Sequence, residues 1–437
     1  MHLSTLPRHR LGASPPHFYA AAVSLIGFIF LLVPRLTGQV ALHLHKEDGT
    51  IFLSDFLARG WMAMLEPYSG YLHVMARLVV GIVVMALPLQ LASWGIAVSM
   101  ALIRMGFMWL AWPFFTKLTQ SWRWGLACAS VFIFIPAGQH EVLGNVTNLR
   151  WFCDAILVII LLTSYRRKAV TITAAVVAAL CVMTDPLGLI VAPLAIWQLV
   201  RACGWWERVP SLTYGVGAAI QFFSMNASER AIDSDGALQN NLLEALVQVL
   251  VRGLDVTAFG VTGSQILIRI SGVAGACVVA MVPLALLIIA VTRRSGNAQK
   301  ARPAIVTLCV AGGALLMGTL FFADMQAIAI TDWWTPAEPS RYSVPFALLV
   351  TPALILAAWA LGNRLVTYLL AAVLLMGIAA DFRGDPWNTA GPVWSDSVSE
   401  ARLACADGAN GDPVVVQITP EGVAMSWTAT IPCAAVR

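Results

Sequence analysis

The sequence predicts an all-α transmembrane bundle that carries a small external α+β domain at its C-terminus. Of the 437 residues, 59% are hydrophobic and only 11% are charged, and the mean hydropathy is +0.78. Soluble domains carry about 25% charged residues, so a soluble fold could not bury this much apolar surface. The apolar residues also recur in runs of roughly 20, the length that crosses a bilayer as one helix. The lipid bilayer is therefore the first predicted partner.

The apolar runs predict about eleven spans. They lie near residues 18–36, 92–114, 123–138, 150–165, 168–183, 187–202, 210–225, 265–292, 303–322, 344–362 and 364–380. Because Arg8 and Arg10 precede the first run, the positive-inside rule places the N-terminus in the cytoplasm. Eleven spans then place the C-terminus outside. A cleaved signal peptide is the alternative, but Pro34 and Arg35 stand where its small-residue cleavage site would be.

Residues 72–88 decide this topology. The stretch is short for a span, ends in Pro88 and carries His73 and Arg77 in its first half. We interpret it as a juxtamembrane segment at the outer leaflet. If it were a full span, every later loop would change sides and the basic cluster at 166–168 would lie outside, against the positive-inside rule.

The net charge of +4 conceals an asymmetry between the two sides of the membrane. With 72–88 outside, the Lys and Arg residues gather in cytoplasmic loops and most carboxylates lie in external segments. Arg104 is the one charge that we predict deep in a span. Since no basic cluster forms on a soluble face, no nucleic acid partner is expected.

The composition divides the chain into two parts. Residues 1–380 form the transmembrane module, with a first external loop at 37–91, and residues 381–437 form a small external domain. In the second part Gly, Asp, Pro and Asn replace the aliphatic runs, and two strand-like runs follow a helix. Cys405 and Cys433 are the two cysteines predicted in an aqueous external segment, which favours a disulfide between them; two free thiols are the alternative.

The most informative stretch follows the first span. Glu47 and Asp48 are adjacent carboxylates, so one could act as a general base while the other orients it or binds a polar ligand. On a helix that starts near Asp48, Asp55 lies on the same face and could contact a substrate, while Phe52 and Phe56 could rest on the bilayer. The alternative is that Asp48 only caps this helix and Glu47 stabilises its dipole.

A second group contains Tyr71, His73 and Arg77. The last two are four residues apart, so on a helix they point the same way and could hold an anionic group such as phosphate. The alternative is interfacial anchoring by Tyr68 and Tyr71, with Arg77 reaching toward the membrane surface.

A third group lies at 139–150 and is rich in amide and carboxylate groups, which suit the hydroxyls of a sugar. Its candidate residues for substrate binding are His140, Glu141, Asn145 and Asn148, and Arg150 follows at the start of a span. Ordinary loop polarity gives the same composition and stays an alternative.

Two further candidates lie at the ends of spans. Asp185 separates two short spans and is expected below the membrane surface, where an acid is typically functional; a helix cap is the alternative. Arg341 and Tyr342 precede a late span, and an arginine beside aromatic rings at that depth could hold a phosphate. Membrane anchoring by the aromatic residues is the alternative.

Motifs for other chemistry are absent. The sequence contains no Walker loop, dinucleotide fingerprint or nucleophile elbow. His43, His45 and Glu47 alternate at a spacing that could bind a metal on a strand, but so few ligands in one loop do not predict a metal site.

Four short motifs resemble those of a known class. They are Glu-Asp-Gly at 47–49, Pro-Tyr-x-Gly-Tyr-Leu-His at 67–73, Gly-Asn-x-Thr-Asn at 144–148 and Arg-Tyr at 341–342. Together with the cytoplasmic N-terminus, the amphipathic external segment, the short paired spans and the external C-terminal domain, they resemble bacterial members of the GT-C class of membrane glycosyltransferases.

This resemblance implies a GT-C-like bundle that transfers a sugar from a polyprenyl-phosphate-linked donor to a hydroxyl of an external glycan or protein. The base in this class is an acid of the first external loop, which corresponds here to Asp48 or Glu47. The implied reaction inverts the anomeric centre, and Arg341 with Arg77 or Arg150 stabilises the departing phosphate. The implied location is the bacterial inner membrane, with the C-terminus in the periplasm. No cofactor is certain, and a divalent cation, which some members of the class use, stays open.

Two other functions fit the same bulk composition. A transporter or flippase of lipid-linked sugars would be expected to show inverted repeats and polar sites at mid-membrane, whereas the candidate residues cluster at one face. A scaffold protein that binds partners through its external tail is the third interpretation.

Overall fold

The computed structural model describes residues 17–37, 42–227, 242–322, 330, 340–382, 391–407, 412–419 and 426–436. These residues form a mostly helical protein with one two-stranded sheet. The helices are α1 His17–Thr37, α2 Ser54–Arg59, α3 Val74–Ala86, α4 Ala92–Thr119, α5 Trp122–Ala129, α6 Gln139–Val142, α7 Leu149–Leu162, α8 Lys168–Val182, α9 Ala192–Arg201, α10 Trp205–Ala227, α11 Leu242–Val247, α12 Val256–Thr292, α13 Gly296–Phe322, α14 Val344–Leu361, α15 Arg364–Ala380 and α16 Trp394–Asp407. The strands are β1 Val414–Gln417 and β2 Thr428–Ile431.

Tighter or wider helical turns join several of these helices. Asp48–Leu53 and Gln248–Asp255 are π-helical, and Gly60–Leu65, Pro186–Val191 and Ser340–Ser343 are 3₁₀ turns.

Within the described residues, four helical segments are long and apolar enough to cross a membrane. They are Leu89–Thr119, Leu243–Thr292, Gly296–Phe321 and Ser340–Leu361, and shorter apolar helices accompany them. The predicted helical fold of a membrane protein is therefore confirmed, while the number of eleven spans and their orientation stay predictions.

Helix α7 lies at the centre of the bundle. Every side chain from Trp151 to Leu161 is buried, and the helix packs against α4, α8 and α14. Fully buried alanines such as Ala174, Ala178 and Ala353 on α8 and α14 keep side chains small where helices crowd together. Such a buried, mostly apolar helix is stable here because protein surrounds it. The outer helices α10 and α15 instead expose large apolar side chains that suit lipid contact.

Two predicted spans have different bounds in the structure. Helix α5 ends at Ala129 and a single 3₁₀ turn follows, so the helical part is shorter than the predicted 123–138. By contrast, the segment 226–264, which lies between the predicted spans 210–225 and 265–292 and is expected outside the membrane, is helical from Leu242 onward and continues into α12. The charged residues Arg252 and Asp255 are fully buried inside this helical run.

A kink at Gly260 interrupts this run. The φ of Gly260 is 75°, a conformation that side-chain-bearing residues rarely adopt. The Asp381 carboxylate accepts hydrogen bonds from the backbone N–H groups of Val261 and Thr262, the latter at 2.9 Å. Asp381 therefore caps the helical segment that restarts after the kink and ties it to the end of α15.

Helix α3 has only 13 residues. At 1.5 Å per residue it is about 20 Å long, shorter than the roughly 30 Å hydrocarbon core of a bilayer. It packs on α4 and on the first external loop, where Gly81 touches the rings of Phe56 and Trp61. This length fits the juxtamembrane interpretation of 72–88.

The C-terminal part folds onto the loop between α1 and α4. Cys405 and Cys433 form a disulfide with a Cα–Cα distance of 5.4 Å, and β1 and β2 pair antiparallel. Trp394 donates from its indole N–H to the backbone oxygen of Leu89 at 2.7 Å, and the Thr430 N–H donates to the Ser54 hydroxyl at 2.9 Å.

This packing corrects the expectation for two aromatic residues. Phe52 is fully buried and Phe56 nearly so, and both join a hydrophobic core with Trp394 and Ile418 of the C-terminal part. They do not rest on a bilayer because the tail and α3 cover them. Trp61 is 47% exposed and is the aromatic side chain of this loop that stays open to the surroundings.

Candidate functional site

A tight turn presents two tyrosines at one end of the bundle. Tyr68 and Tyr71 pair through backbone hydrogen bonds of 2.9 and 3.3 Å, while Ser69 and Gly70 between them have φ values of 52° and 83°. Two successive positive φ angles are typical of a type I′ turn, which a glycine allows. Gln221 of α10 fixes the next residue, because its amide both accepts from the Leu72 N–H at 3.2 Å and donates to the Leu72 oxygen.

Asp48 is held by the loop before α7. It is 1% exposed, and its carboxylate accepts hydrogen bonds from the N–H of Val146 at 3.0 Å, from the N–H of Thr147 at 2.9 Å and from the Thr147 hydroxyl at 2.5 Å. Burial raises the pKa of Asp48, although the charge of His45 and these hydrogen bonds oppose the rise. Both oxygens are therefore occupied by contacts within the protein.

Glu47 has the more accessible carboxylate of the pair. Its side chain is 20% exposed, and Nε2 of His45 lies 3.4 Å from its Oε2. Burial alone would raise the pKa of Glu47, but the contact with His45, the charge of His45 and, more weakly, the charge of Arg341 lower it to about 2. Glu47 is therefore ionised at any physiological pH.

The structure revises the roles of His73, Arg77 and Asp55. Arg77 is 2% exposed, and its guanidinium donates to the Asp55 carboxylate at 2.8 Å, so the predicted phosphate ligand and the predicted substrate ligand neutralise each other. His73 is buried among the rings of Phe52, Tyr68 and Tyr71. These contacts join α2, α3 and the tyrosine turn, and they leave neither His73 nor Arg77 exposed for a phosphate.

Arg150 is fixed by an acid, a hydroxyl and a ring. Its guanidinium donates to the Tyr71 hydroxyl, lies 3.4 Å from Oδ2 of Asp185 and stacks 4.0 Å from the Trp151 ring. The other oxygen of Asp185 caps the following turn by accepting from the Leu187 N–H at 2.9 Å. Asp185 therefore both caps a helical turn and balances the charge of Arg150.

Arg341 is held from two sides by Glu141. One carboxylate oxygen accepts from the Arg341 guanidinium at 2.8 Å, and the other accepts from the Arg341 N–H at 2.7 Å and from the Ser340 hydroxyl at 3.0 Å. The ring of Tyr342 lies 5.2 Å from the guanidinium and meets the Trp151 ring edge-on at 5.8 Å. The two arginine sites thus share an aromatic wall. The side chain of Arg341 is 30% exposed and that of Arg150 is 20% exposed, so neither side chain is fully enclosed.

The two predicted sugar ligands Asn145 and Asn148 are buried and bind each other. The Asn148 amide donates to Oδ1 of Asn145 at 2.9 Å and to the Glu141 backbone oxygen at 3.1 Å, and Oδ1 of Asn148 accepts from the Trp151 indole at 3.0 Å. They support the loop rather than line an open surface. The side chain of His140 lies outside the described residues.

Tyr68 is a site residue to which the sequence reasoning gave no role in binding or catalysis. Burial and the charge of Glu47 raise the pKa of this phenol, while the charges of Arg150 and Arg341 lower it. The charges of Glu47, Arg150 and Arg341 therefore all lie within electrostatic range of the Tyr68 hydroxyl. Their positions 47, 150 and 341 are far apart in the chain, so spacing could not reveal this; the turn signal Tyr-Ser-Gly-Tyr could have marked the aromatic pair.

No group of three or more His, Cys, Asp or Glu residues suited to a metal ion occurs in the part of the chain that the structure describes. In particular, Nδ1 of His43 contacts the Pro392 backbone oxygen at 2.7 Å instead of turning toward Glu47.

No protein-family model and no curated protein matches this chain.

Proposed function

We propose that the protein is a membrane glycosyltransferase that moves a sugar from a polyprenyl-phosphate-linked donor to a hydroxyl of an external glycan or protein. The observation that carries this proposal is that one partly exposed carboxylate, Glu47, and two anchored arginines, Arg150 and Arg341, act electrostatically on the same Tyr68 hydroxyl. Displacement at a sugar phosphate needs a base on one side and positive charge for the leaving phosphate on the other. The pairing of the arginines with Asp185 and Glu141 keeps them fixed before the substrate binds.

In the proposed reaction Glu47 accepts the proton of the acceptor hydroxyl as that oxygen attacks the anomeric carbon. The bond between the anomeric carbon and the phosphate oxygen breaks, and the phosphate leaves with the bonding electrons. Arg341 and Arg150 stabilise the charge on the leaving phosphate. The products are the glycosylated acceptor, inverted at the anomeric carbon, and polyprenyl phosphate, with the proton on Glu47.

Glu47 is the better candidate for the base than Asp48. A base must first be able to reach the acceptor hydroxyl, and its pKa matters only after that. Asp48 would have to give up hydrogen bonds to two backbone N–H groups to meet a substrate. Its proposed role is to hold the adjacent Glu47 in place.

An apolar groove supports the proposal that the donor carries a lipid chain. It has a volume of about 350 Å³ and lies between α5, α14 and α15, and its lining includes Val131, Pro136, Ile355 and Leu374 but no charged residue. Pro136 is two residues before Gly138, which packs directly against Val344 near Arg341. A donor with an anionic head and a long apolar chain matches this arrangement.

The proposed location is a bacterial inner membrane, with the site facing the periplasm. The proposed sugar is a hexose or a pentose such as arabinofuranose. The GT-C class stays the proposed relative, on the motifs at 47–49, 67–73, 144–148 and 341–342.

The test is sugar transfer by the purified protein in lipid nanodiscs, with a panel of polyprenyl-phosphate sugars and mass spectrometry of the acceptor. Glu47→Gln should abolish transfer without lowering the melting temperature, and Arg341→Ala should raise the KM of the donor. The matched control is Glu66→Gln, an exposed acid of the same loop that pairs with Arg59. Wild-type transfer by Glu47→Gln would exclude Glu47 as the base.

Two buried carboxyl groups favour transport of lipid-linked sugars as a second candidate function. Asp154 and Asp255 are fully buried, and neither has a hydrogen-bond partner among the described residues. Acids buried in membrane helices are typical of transport pathways. Transbilayer movement of a labelled lipid-linked sugar in proteoliposomes, lost in Asp154→Asn or Asp255→Asn but kept in Glu47→Gln, would favour this function over transfer.

A further inference from the structure

The loop between α5 and α7 contacts both halves of the proposed site. At its C-terminal end, Val146 and Thr147 hold the Asp48 carboxylate, next to Glu47. At its N-terminal end, Glu141 holds Ser340 and Arg341 through both carboxylate oxygens.

Hydrogen bonds connect these two ends inside the loop. The backbone oxygen of Glu141 accepts from the side-chain amides of Asn145 at 2.5 Å and Asn148 at 3.1 Å, and Oδ1 of Asn145 accepts from both the backbone N–H and the amide of Asn148. Gly138 and Gly144, with φ values of 71° and 65°, allow the reversals that close the loop. The two asparagine side chains are buried and fully engaged, so the network is an internal brace.

We propose that residues 138–148 form a positioning bridge that fixes the base Glu47 relative to the donor-binding Arg341. The inference rests on the proposed function for the identity of the two ends. Glu141, within the bridge, and Asp48, which the bridge holds, are positioning residues and do not touch the substrate. Transfer requires the attacking oxygen, the base and the leaving phosphate to be aligned, so a rigid link between the two ends raises the rate by orientation.

Coupling between the two ends is the property that separates a bridge from two local contacts. If the network is one rigid unit, loosening the contact at Glu141 must also loosen the backbone around Glu47, although the two residues do not contact each other. Loosening Asp48 must likewise free the turn Ser340–Ser343.

The experiment is hydrogen-exchange mass spectrometry of the full-length protein in nanodiscs. We expect Glu141→Gln to speed amide exchange in 340–343 and also in 45–50, and Asp48→Asn to speed exchange in both segments as well. Thr147→Val is a milder variant for the case that the other two do not fold. It removes only the hydrogen bond from the Thr147 hydroxyl to Asp48 and should speed exchange in both segments by a smaller factor. The matched control is Ser54→Ala, which loses contacts with Gly49 and Thr430 and should leave exchange in 340–343 unchanged.

Steady-state kinetics give the second readout. Glu141→Gln should raise the donor KM about tenfold, the effect of losing one charge-assisted hydrogen bond, and Asp48→Asn should lower kcat more than it raises that KM. Exchange that rises only beside each mutated residue would overturn the bridge, even in a protein that transfers sugar. Coupled exchange in a protein that transfers no sugar would instead support the bridge and reject the proposed function.

Discussion

Glu47 and Asp48 are neighbours in the chain but meet different surroundings. Side chains one residue apart on a helix point about 100° apart, so one faces the loop at Val146–Thr147 and the other faces His45. The residue types alone therefore could not choose between two bases. The same holds for Arg77, whose spacing from His73 suits phosphate but whose partner in the fold is Asp55.

His73 gives a prediction for the dependence of stability on pH. Burial, with the charges of Arg150 and Arg77, lowers the pKa of His73 well below 6.5. Below pH 6.5 the unfolded state then binds more protons than the folded state, so stability is lost as the pH falls toward the folded pKa. We expect acidification from about pH 7.5 to about pH 5 to destabilise the wild type more than His73→Gln, by up to about 1.4 kcal/mol per pH unit.

Thermal unfolding in detergent at several pH values measures this difference. His17→Gln is the control, because His17 is an exposed histidine at the start of α1 and should leave the pH dependence as in the wild type. Parallel pH profiles for the wild type and His73→Gln would contradict a neutral, buried His73.

At the scale of the helices, α3 and α5 are much shorter than the long helices of the bundle. The single helical turn after α5 and the packing of α14 against it leave the apolar groove between α5, α14 and α15. The apolar run at 123–138 predicted a longer helix than α5, and the groove depends on where α5 ends and on which helices are its neighbours. The sequence predicts neither of these.

The groove predicts a chain-length effect on the donor. Ala371 lines it, and the bulk of Ala371→Trp should block it. We expect this variant to lose preference for long-chain polyprenyl donors while it keeps the wild-type rate with a short-chain phosphate sugar. Competition between the two donors, followed by mass spectrometry, measures the preference.

Ala372→Trp is the matched control for this test. Ala372 is also exposed on α15 but does not line the groove, so its replacement should change neither donor. Equal loss with long and short donors in Ala371→Trp would count against a lipid chain in the groove.

For the whole molecule, the C-terminal part packs against the loop between α1 and α4 and supports it. Gly49 lies so close to Ile418 that an added Cβ would be 2.7 Å from its Cδ1 atom. The core that contains Phe52 and Leu53 also contains Trp394 and Ile431. The division at residue 381 therefore separates two compositions, while the packing joins the tail to the loop that bears Glu47.

Because the C-terminal part packs against the loop that bears Glu47, we expect its disulfide to affect the dynamics of that loop. Removing it in Cys405→Ala/Cys433→Ala should cost about 2–4 kcal/mol of stability and speed amide exchange around 45–54. Cys203→Ala, at an exposed free cysteine, is the control and should change neither quantity. Unchanged exchange around 45–54 in the double variant would show that the tail does not support the loop.

The topology gives the second prediction for the whole molecule. With α3 on the outer surface, a reporter fused after Lys168 should behave as cytoplasmic. Alkaline phosphatase and fluorescent-protein fusions measure this in cells. An external signal would mean that the whole bundle has the reverse orientation, with the proposed site on the cytoplasmic side, because Asp48 and the loop before α7 bond to each other and lie at the same end.

The sequence by itself determined the membrane class, the helical fold and the pair of cysteines in the tail. Composition and runs of apolar residues are local properties, and the thickness of a bilayer sets the length of apolar run that a membrane helix needs. The sequence also determined which segments carry the polar candidates. The tertiary structure decided what those candidates do. Glu141 meets Arg341 across 200 residues of chain, Asp48 binds the loop before α7, and Asn145 and Asn148 bind each other. These partners depend on which helices pack together, and residue spacing contains no information about that packing.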